Sequence, residues 1–193
     1  LERRFPPRGR FGSLPEGRLH LTDLAPSGPA QAVVLLLHGA SGNEADMREA
    51  LGARLTARGF RVVAVDRPGH GWSDRCGMDA VSPARQAELI RAALARIGVT
   101  RAIVVGHSWS GALAQAFALD HKDFTQGLVL LAPVTHSWPG AIAWYYTPSA
   151  MPVLGWLFAH LLAMPAGLLI FARALASVFD PQATPEDYAA RTG

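Results

Sequence analysis

Cysteine is almost absent from this 193-residue sequence, and its basic residues are not clustered with aromatic ones. A single cysteine, Cys76, excludes an internal disulfide and gives no sign of an oxidising compartment. The formal net charge is only +3, and no run of Lys or Arg is interleaved with aromatic residues, so we expect no nucleic-acid partner. The one basic cluster, residues 3–10, is typical of a solvated tail or of the flank of a membrane anchor preceding Leu1. We expect a cytoplasmic protein, or a membrane-associated one if such an anchor exists.

The sequence also lacks the features of a cofactor or metal site. The segment Gly39-Ala-Ser-Gly42 has neither the lysine of a phosphate-binding loop nor the glycine spacing of a dinucleotide-binding turn. Histidine and acidic residues do not occur at the spacings of metal ligands. We therefore expect no cofactor and no metal.

Charge is missing altogether from residues 124 to 172. The most apolar part, Met151 to Ala172, is long enough for a transmembrane helix. Pro165 interrupts this part near its middle, which disfavours one continuous helix. The composition favours two short apolar helices that cover a cavity, with membrane association as the alternative.

Apolar runs alternate with helical patterns through the first two thirds of the chain. Residues 10 to 24 have the pattern of a hairpin. Buried strands are predicted over Ala32–Leu37, Arg61–Val65, Arg101–Val105 and Gly127–Leu131. Helices are predicted between them, over Ala45–Arg58, Ser82–Ile97 and Gly111–Leu119. This alternation predicts an α/β fold with a doubly wound, mostly parallel sheet.

The alternation stops after Pro133, where an apolar, Trp-rich helical pattern begins. We predict two parts, an α/β core over residues 1–135 and an incomplete helical cap over residues 136–193. Because the cap is uncharged and aromatic, it favours an apolar small-molecule substrate. The residues predicted to line its pocket are His136, Trp138 and Trp144.

The segment Gly106-His-Ser-Trp-Ser-Gly111 lies between a predicted strand and a predicted helix. A serine there sits on a tight turn at the C-terminal edge of the sheet, with its hydroxyl exposed. Its neighbours must be small because strand and helix nearly touch, and Gly106, Ser110 and Gly111 meet that requirement. The helix N-terminus adds partial positive charge where an oxyanion would form. An ordinary glycine-rich turn with an incidental serine is the alternative.

Two further motifs precede this turn. His38-Gly39 follows one predicted strand, and Asp66-x-Pro-Gly-His-Gly-x-Ser73 follows the next. Together with Gly106-His-Ser108, they occur in the order and spacing of the α/β-hydrolase fold family, which the sequence resembles over nearly its whole length.

This resemblance implies a role for each matching position. Ser108 is the nucleophile, and the backbone N–H groups of Ala40 and Trp109 form the oxyanion hole. The supporting positions are His38, Gly39, Gly106, His107, Ser110 and Gly111. Ser110 departs from the family pattern, in which Gly is usual, and tightens the turn.

The type of nucleophile narrows the reaction. Family members that act on epoxides or haloalkanes carry Asp at the elbow, whereas Ser108 points to acyl transfer. We predict a serine hydrolase of small to medium apolar esters, with Trp109 as a wall of the acyl pocket. The alternative is a non-catalytic relative that binds an apolar ligand or partner under its cap.

The family places its acid and its histidine after the nucleophile. His121 lies roughly 18 Å along the predicted helix from Ser108, at 1.5 Å per residue. His136 has no acidic companion, and His160 lies in the apolar cap. We therefore expect the acid and the histidine beyond Gly193, an inactive chain without them, and a last strand that becomes an exposed sheet edge.

Overall fold

A computed structural model describes residues 6–136, 151 and 154–188. The six strands are β1 (Arg10–Leu14), β2 (Gly17–Leu24), β3 (Val33–Leu37), β4 (Arg61–Val65), β5 (Ala102–His107) and β6 (Thr125–Leu131). The helices are α1 (Glu44–Met47), α2 (Ala53–Thr56), α3 (Pro83–Ala95), α4 (Ser110–Asp120), α5 (Leu154–Phe158) and α6 (Met164–Phe179). Two π-helical segments, Arg48–Gly52 and Ala159–Ala163, and a short 3₁₀ turn, Asp79–Val81, complete the described elements.

The six strands form one mixed sheet in the order β1-β2-β4-β3-β5-β6. The predicted hairpin β1–β2 is antiparallel and joins β4 in antiparallel register, whereas β3, β4, β5 and β6 run parallel. This architecture confirms the predicted α/β fold. Because β3, β4 and β5 are parallel neighbours, the loops that follow Leu37, Val65 and His107 meet at one edge of the sheet.

The core lies on both faces of the sheet. On one face, Leu35 and Leu37 of β3 pack with apolar side chains of α3 and α4, including Ile90 and Phe117. On the other face, Leu36 packs with α1 and the two segments that follow it. Each fully buried Leu or Ile side chain contributes about 1.5–3 kcal/mol, which fixes the strands that carry the three motifs.

The helical region after β3 differs from the single helix predicted over Ala45–Arg58. Asn43 caps α1 as predicted, and its side chain accepts hydrogen bonds from the backbone N–H groups of Ala45 and Asp46. The π-helical segment Arg48–Gly52 then separates α1 from α2. Apolar residues at every fourth position are compatible with both α-helical and π-helical turns. The sequence pattern could therefore not reveal this interruption.

β6 is the terminal strand of the described sheet. Its side chains Leu128, Val129 and Leu131 are 39%, 41% and 36% exposed. These values contrast with Leu35, Leu36 and Leu37 of β3, which are completely buried. Among the described residues β6 is thus an edge strand with partly exposed apolar side chains, as predicted.

The chain divides into two compact units, residues 1–137 with 191–193 and residues 138–190. In the second unit, Pro165 lies in the first turn of α6, and the helical stretches Leu154–Ala163 and Pro165–Ser177 meet at 57°. No single helix among the described residues has the length and apolar composition of a membrane span, although this bent pair reaches them together. The predicted boundary after residue 135 stays a prediction.

Candidate active site

The turn between β5 and α4 holds Ser108 in a left-handed backbone conformation, with φ at +52°. A non-glycine residue in this region stores on the order of 1–3 kcal/mol of strain and needs support from its surroundings. The Ser108 N–H donates to the Leu131 carbonyl at 3.0 Å, and the Ser108 carbonyl accepts from Gly111 N–H at 2.9 Å and Val134 N–H at 2.8 Å. Backbone hydrogen bonds from β6, the segment that follows it and α4 thus hold the turn.

Small residues allow this turn to close. A Cβ atom at Gly106 would lie 2.3 Å from the Ser110 carbonyl oxygen and 2.8 Å from Ala114 Cβ. A Cβ atom at Gly111 would lie 2.5 Å from Pro133 Cβ. Strand and helix therefore touch as the sequence predicts, and neither glycine leaves room for a side chain.

Ser110, the departure from the family pattern, is completely buried. Its hydroxyl donates a hydrogen bond to the backbone carbonyl of His38, at the end of β3. The side chain fits into the turn and also joins it to the neighbouring loop.

The loop after β3 lies against the nucleophile turn. A Cβ atom at Gly39 would lie 3.2 Å from His107 Nδ1 and 3.3 Å from Ser108 Cβ. Neither the Ala40 nor the Trp109 N–H donates a hydrogen bond to another of the described residues. The structure thus brings the loop and turn together, and the oxyanion role of the two N–H groups stays a prediction.

Arg67, which the sequence reasoning did not single out, lies beside this loop with only 2% of its surface exposed. Its Nε and Nη2 donate to the carbonyls of His38 and Gly39, at 3.2 and 2.9 Å. Its Nη1 donates to Gln86 Oε1 at 3.4 Å, and its Cζ lies 4.3 Å from the centre of the Trp109 ring. Arg67 occupies the variable position after Asp66 in the motif, and no neighbouring residue in the sequence indicates that it is buried.

Burial lowers the pKa of Arg67 to about 10, so the guanidinium remains charged at neutral pH. Burial and the Arg67 charge lower the pKa of His38 to about 3. The neutral His38 ring accepts a hydrogen bond from the Arg67 backbone N–H on Nε2 at 3.0 Å. Its Nδ1 therefore donates to the Gly39 carbonyl at 2.8 Å. The same two influences lower the pKa of His70.

The depressed pKa of His38 predicts acid sensitivity of the fold. In the unfolded chain this imidazole is protonated below about pH 6.5, whereas in the folded protein it stays neutral down to about 3. The unfolded state binds more protons between these values. The free energy of unfolding should therefore decrease as the pH is lowered, by up to roughly 1.4 kcal/mol per pH unit. Urea unfolding at about pH 7.5 and about pH 5 measures this change in the free energy of unfolding, which should be smaller for His38→Gln than for the unmodified protein. Equal changes in the two proteins would contradict this interpretation.

Asp66 belongs to a buried network on the other side of β4. It accepts hydrogen bonds from His20 Nδ1 at 2.8 Å and from the N–H groups of Glu44 at 2.7 Å and Trp72 at 3.0 Å. Burial would raise its pKa, but these hydrogen bonds hold the pKa below its usual value. His20 Nε2 accepts the Gly9 N–H at 3.1 Å, so both ring nitrogens are used and this pair stabilises the loop after β4.

The Ser108 hydroxyl has no hydrogen-bond partner among the described residues. Three histidines follow Ser108 among the described residues, and each has another contact. His136 is exposed and forms a hydrogen bond with the Thr135 hydroxyl. His121 packs edge-on against Phe117, and His160 forms a hydrogen bond with the Trp156 carbonyl. The predicted pocket-lining residues Trp138 and Trp144 lie outside the described residues. Within the described ranges, no group of three or more His, Cys, Asp or Glu side chains could hold a metal ion.

Known proteins share this architecture. A family model described as "alpha/beta hydrolase fold" matches residues 32–152. The chain is 34% identical over 149 residues to a 2-hydroxymuconate semialdehyde hydrolase of Pseudomonas putida, covering 74% of this chain and 52% of the relative. It is 34% identical over 105 residues to epoxide hydrolase 3 of Xenopus tropicalis, covering 51% of this chain and 27% of the relative.

Solved structures agree with these sequence relatives. A probable hydrolytic enzyme from Pseudomonas aeruginosa PAO1 superposes with a TM-score of 0.62 at 27% identity, covering 80% of this chain and 54% of the other. An esterase from Exiguobacterium antarcticum, with a TM-score of 0.56 at 23% identity, covers 65% of this chain and 45% of its own and shares the fold. The chain thus spans about half the length of the hydrolytic enzymes it matches best among these.

Proposed function

The chain belongs to the α/β-hydrolase fold family, and on that basis we propose that it is a serine hydrolase of small to medium apolar esters, with Ser108 as nucleophile. The observation that carries the proposal is the left-handed Ser108 on the tight turn between β5 and α4. Such a turn exposes the hydroxyl at the carboxyl edge of the sheet, beside the loop that follows β3. A strained backbone conformation that three hydrogen bonds maintain is typical of a functional position.

The proposed reaction is acyl transfer in two steps. Ser108 Oγ attacks the ester carbonyl carbon, its proton passes to a general base, and the carbonyl π electrons move to the oxygen. The N–H groups of Ala40 and Trp109 hold this oxyanion. Collapse of the intermediate expels the alcohol, which takes the proton from the base, and water then hydrolyses the acyl-enzyme by the same route.

We propose that the base is a histidine supplied outside residues 1–193. The absence of a hydrogen bond to the Ser108 hydroxyl within the described chain supports this proposal. The experiments below therefore use the native protein, in which the proposed histidine would be present.

The uncharged composition of residues 124–172 predicts selectivity for apolar acyl groups. In a series of p-nitrophenyl esters, kcat/KM should be highest for butyrate or hexanoate. It should fall by roughly 10- to 100-fold or more for a succinate monoester, because residues 124–172 offer no positive charge to a buried carboxylate. Release of p-nitrophenol under initial-rate conditions measures the series. A preference for the charged acyl group would overturn the proposed substrate class.

A second candidate reaction is hydrolysis of 2-hydroxymuconate semialdehyde. It is favoured by the 34% identity to the Pseudomonas putida enzyme that bears this compound in its name. The same native protein should then consume this compound with a higher kcat/KM than any ester in the series. Hydrolysis of the esters alone would favour the first candidate.

A further inference from the structure

The Arg67 guanidinium is a buried cation without a counter-ion. Its partners are the carbonyls of His38 and Gly39, the Gln86 amide, the His70 ring and the Trp109 ring, none of which is an anion. Among the described residues no carboxylate lies within ion-pair distance of it. Burial of an unpaired charge is costly, and proteins normally offset it with an opposite charge or use it functionally.

This cation contacts a group next to each of the two proposed oxyanion donors. Its Nη2 donates to the Gly39 carbonyl, which also accepts from His38 Nδ1. That carbonyl belongs to the same peptide group as the Ala40 N–H. The Arg67 guanidinium also lies over the Trp109 ring, and the backbone N–H of Trp109 is the second proposed donor.

We propose that Arg67 is a positioning residue for the oxyanion hole, which it orients through the Gly39–Ala40 peptide and Trp109. The inference rests on the proposed function, because it requires that attack by Ser108 form an oxyanion on the substrate carbonyl oxygen. Hydrogen bonds to a peptide carbonyl polarise that peptide and strengthen its N–H as a donor. The buried positive charge also stabilises an anion nearby, and it acts most strongly in the transition state, where the anion exists.

An alkyl trifluoromethyl ketone and the matching methyl ketone separate this role from a structural one. Ser108 Oγ adds to the trifluoromethyl ketone, its proton passes to the base, and the carbonyl π electrons become an oxyanion in the hole. The methyl ketone binds the same pocket without forming a stable oxyanion. Inhibition constants for the two compounds, together with kcat and KM, are measured on the native protein and its variants.

Arg67→Met should weaken inhibition by the trifluoromethyl ketone and lower kcat by the same factor, roughly 10- to 100-fold. This is less than the roughly 10²–10³-fold loss expected for a donor that touches the oxyanion itself. The methyl ketone inhibition constant and KM should stay unchanged. Arg67→Lys keeps the charge but loses the planar group that reaches two carbonyls, so its decrease in kcat and in trifluoromethyl ketone affinity should be smaller. If Arg67→Met does not fold, the same measurements on Arg67→Lys test the proposal.

The matched control is Arg61→Met, at the opposite end of β4, where Arg61 pairs with Asp23 at 2.7 Å. It should lower stability and leave the ratio of the two inhibition constants unchanged. Equal weakening of both ketones by the Arg67 variants, or no change in either, overturns the positioning role. If Ser108→Ala retains the advantage of the trifluoromethyl ketone, the proposed nucleophile is wrong instead.

Discussion

Ser108→Ala should abolish fluorophosphonate labelling and lower ester turnover by about ten-thousand-fold or more, because loss of a serine nucleophile removes the covalent route. The fold should persist, since alanine keeps the Cβ atom and the lost hydroxyl has no partner among the described residues. Gel fluorescence of the labelled native protein measures the first effect, and p-nitrophenyl butyrate hydrolysis the second. The melting temperature reports on the fold.

Ser82→Ala is the matched control. Ser82 precedes α3 and its side chain makes no capping hydrogen bond, so the variant removes a serine hydroxyl without touching the turn. Its labelling and turnover should equal those of the unmodified protein. If Ser108→Ala retains either activity, another group must be the nucleophile.

Gly106→Ala should destabilise the protein by about 3 kcal/mol or more and remove the reactivity of Ser108. The new methyl carbon would lie 2.3 Å from the Ser110 carbonyl oxygen. That oxygen belongs to the first turn of α4 and cannot move unless the helix moves away from β5. Because the displacement opens the turn that holds Ser108 at positive φ, activity should fall together with stability.

Gly127→Ala provides the comparison for Gly106→Ala. Gly127 lies on β6, next to β5, and a Cβ atom there would lie 3.6 Å from Ile103 Cγ2, an ordinary contact distance. Chemical denaturation should give a change within about 1 kcal/mol for this variant. Similar losses for both variants would mean that the close approach at Gly106 does not control the turn.

The features that the sequence predicted are local ones. The strands and the tight turn at Ser108 each depend on a continuous segment, whose apolar run or small neighbours are visible in the sequence. The Asn43 cap is likewise encoded within four residues.

The features that the sequence missed depend on distant partners. Arg67 looks like a loop residue until the fold places the His38 and Gly39 carbonyls and the Trp109 ring around it. His20 reads as one polar position in an alternating strand, yet it pairs with Asp66, 46 residues away. Burial and long-range hydrogen bonding therefore decided what residue type and spacing could not.

Peptide mapping of the fluorophosphonate adduct tests the central claim most directly. The native protein is labelled, digested and analysed by mass spectrometry, and each modified residue is assigned by fragmentation. We expect one phosphonyl group per molecule, attached to Ser108. An adduct on a different residue, or no adduct under conditions that label a known serine esterase, would contradict the assignment of Ser108 as nucleophile.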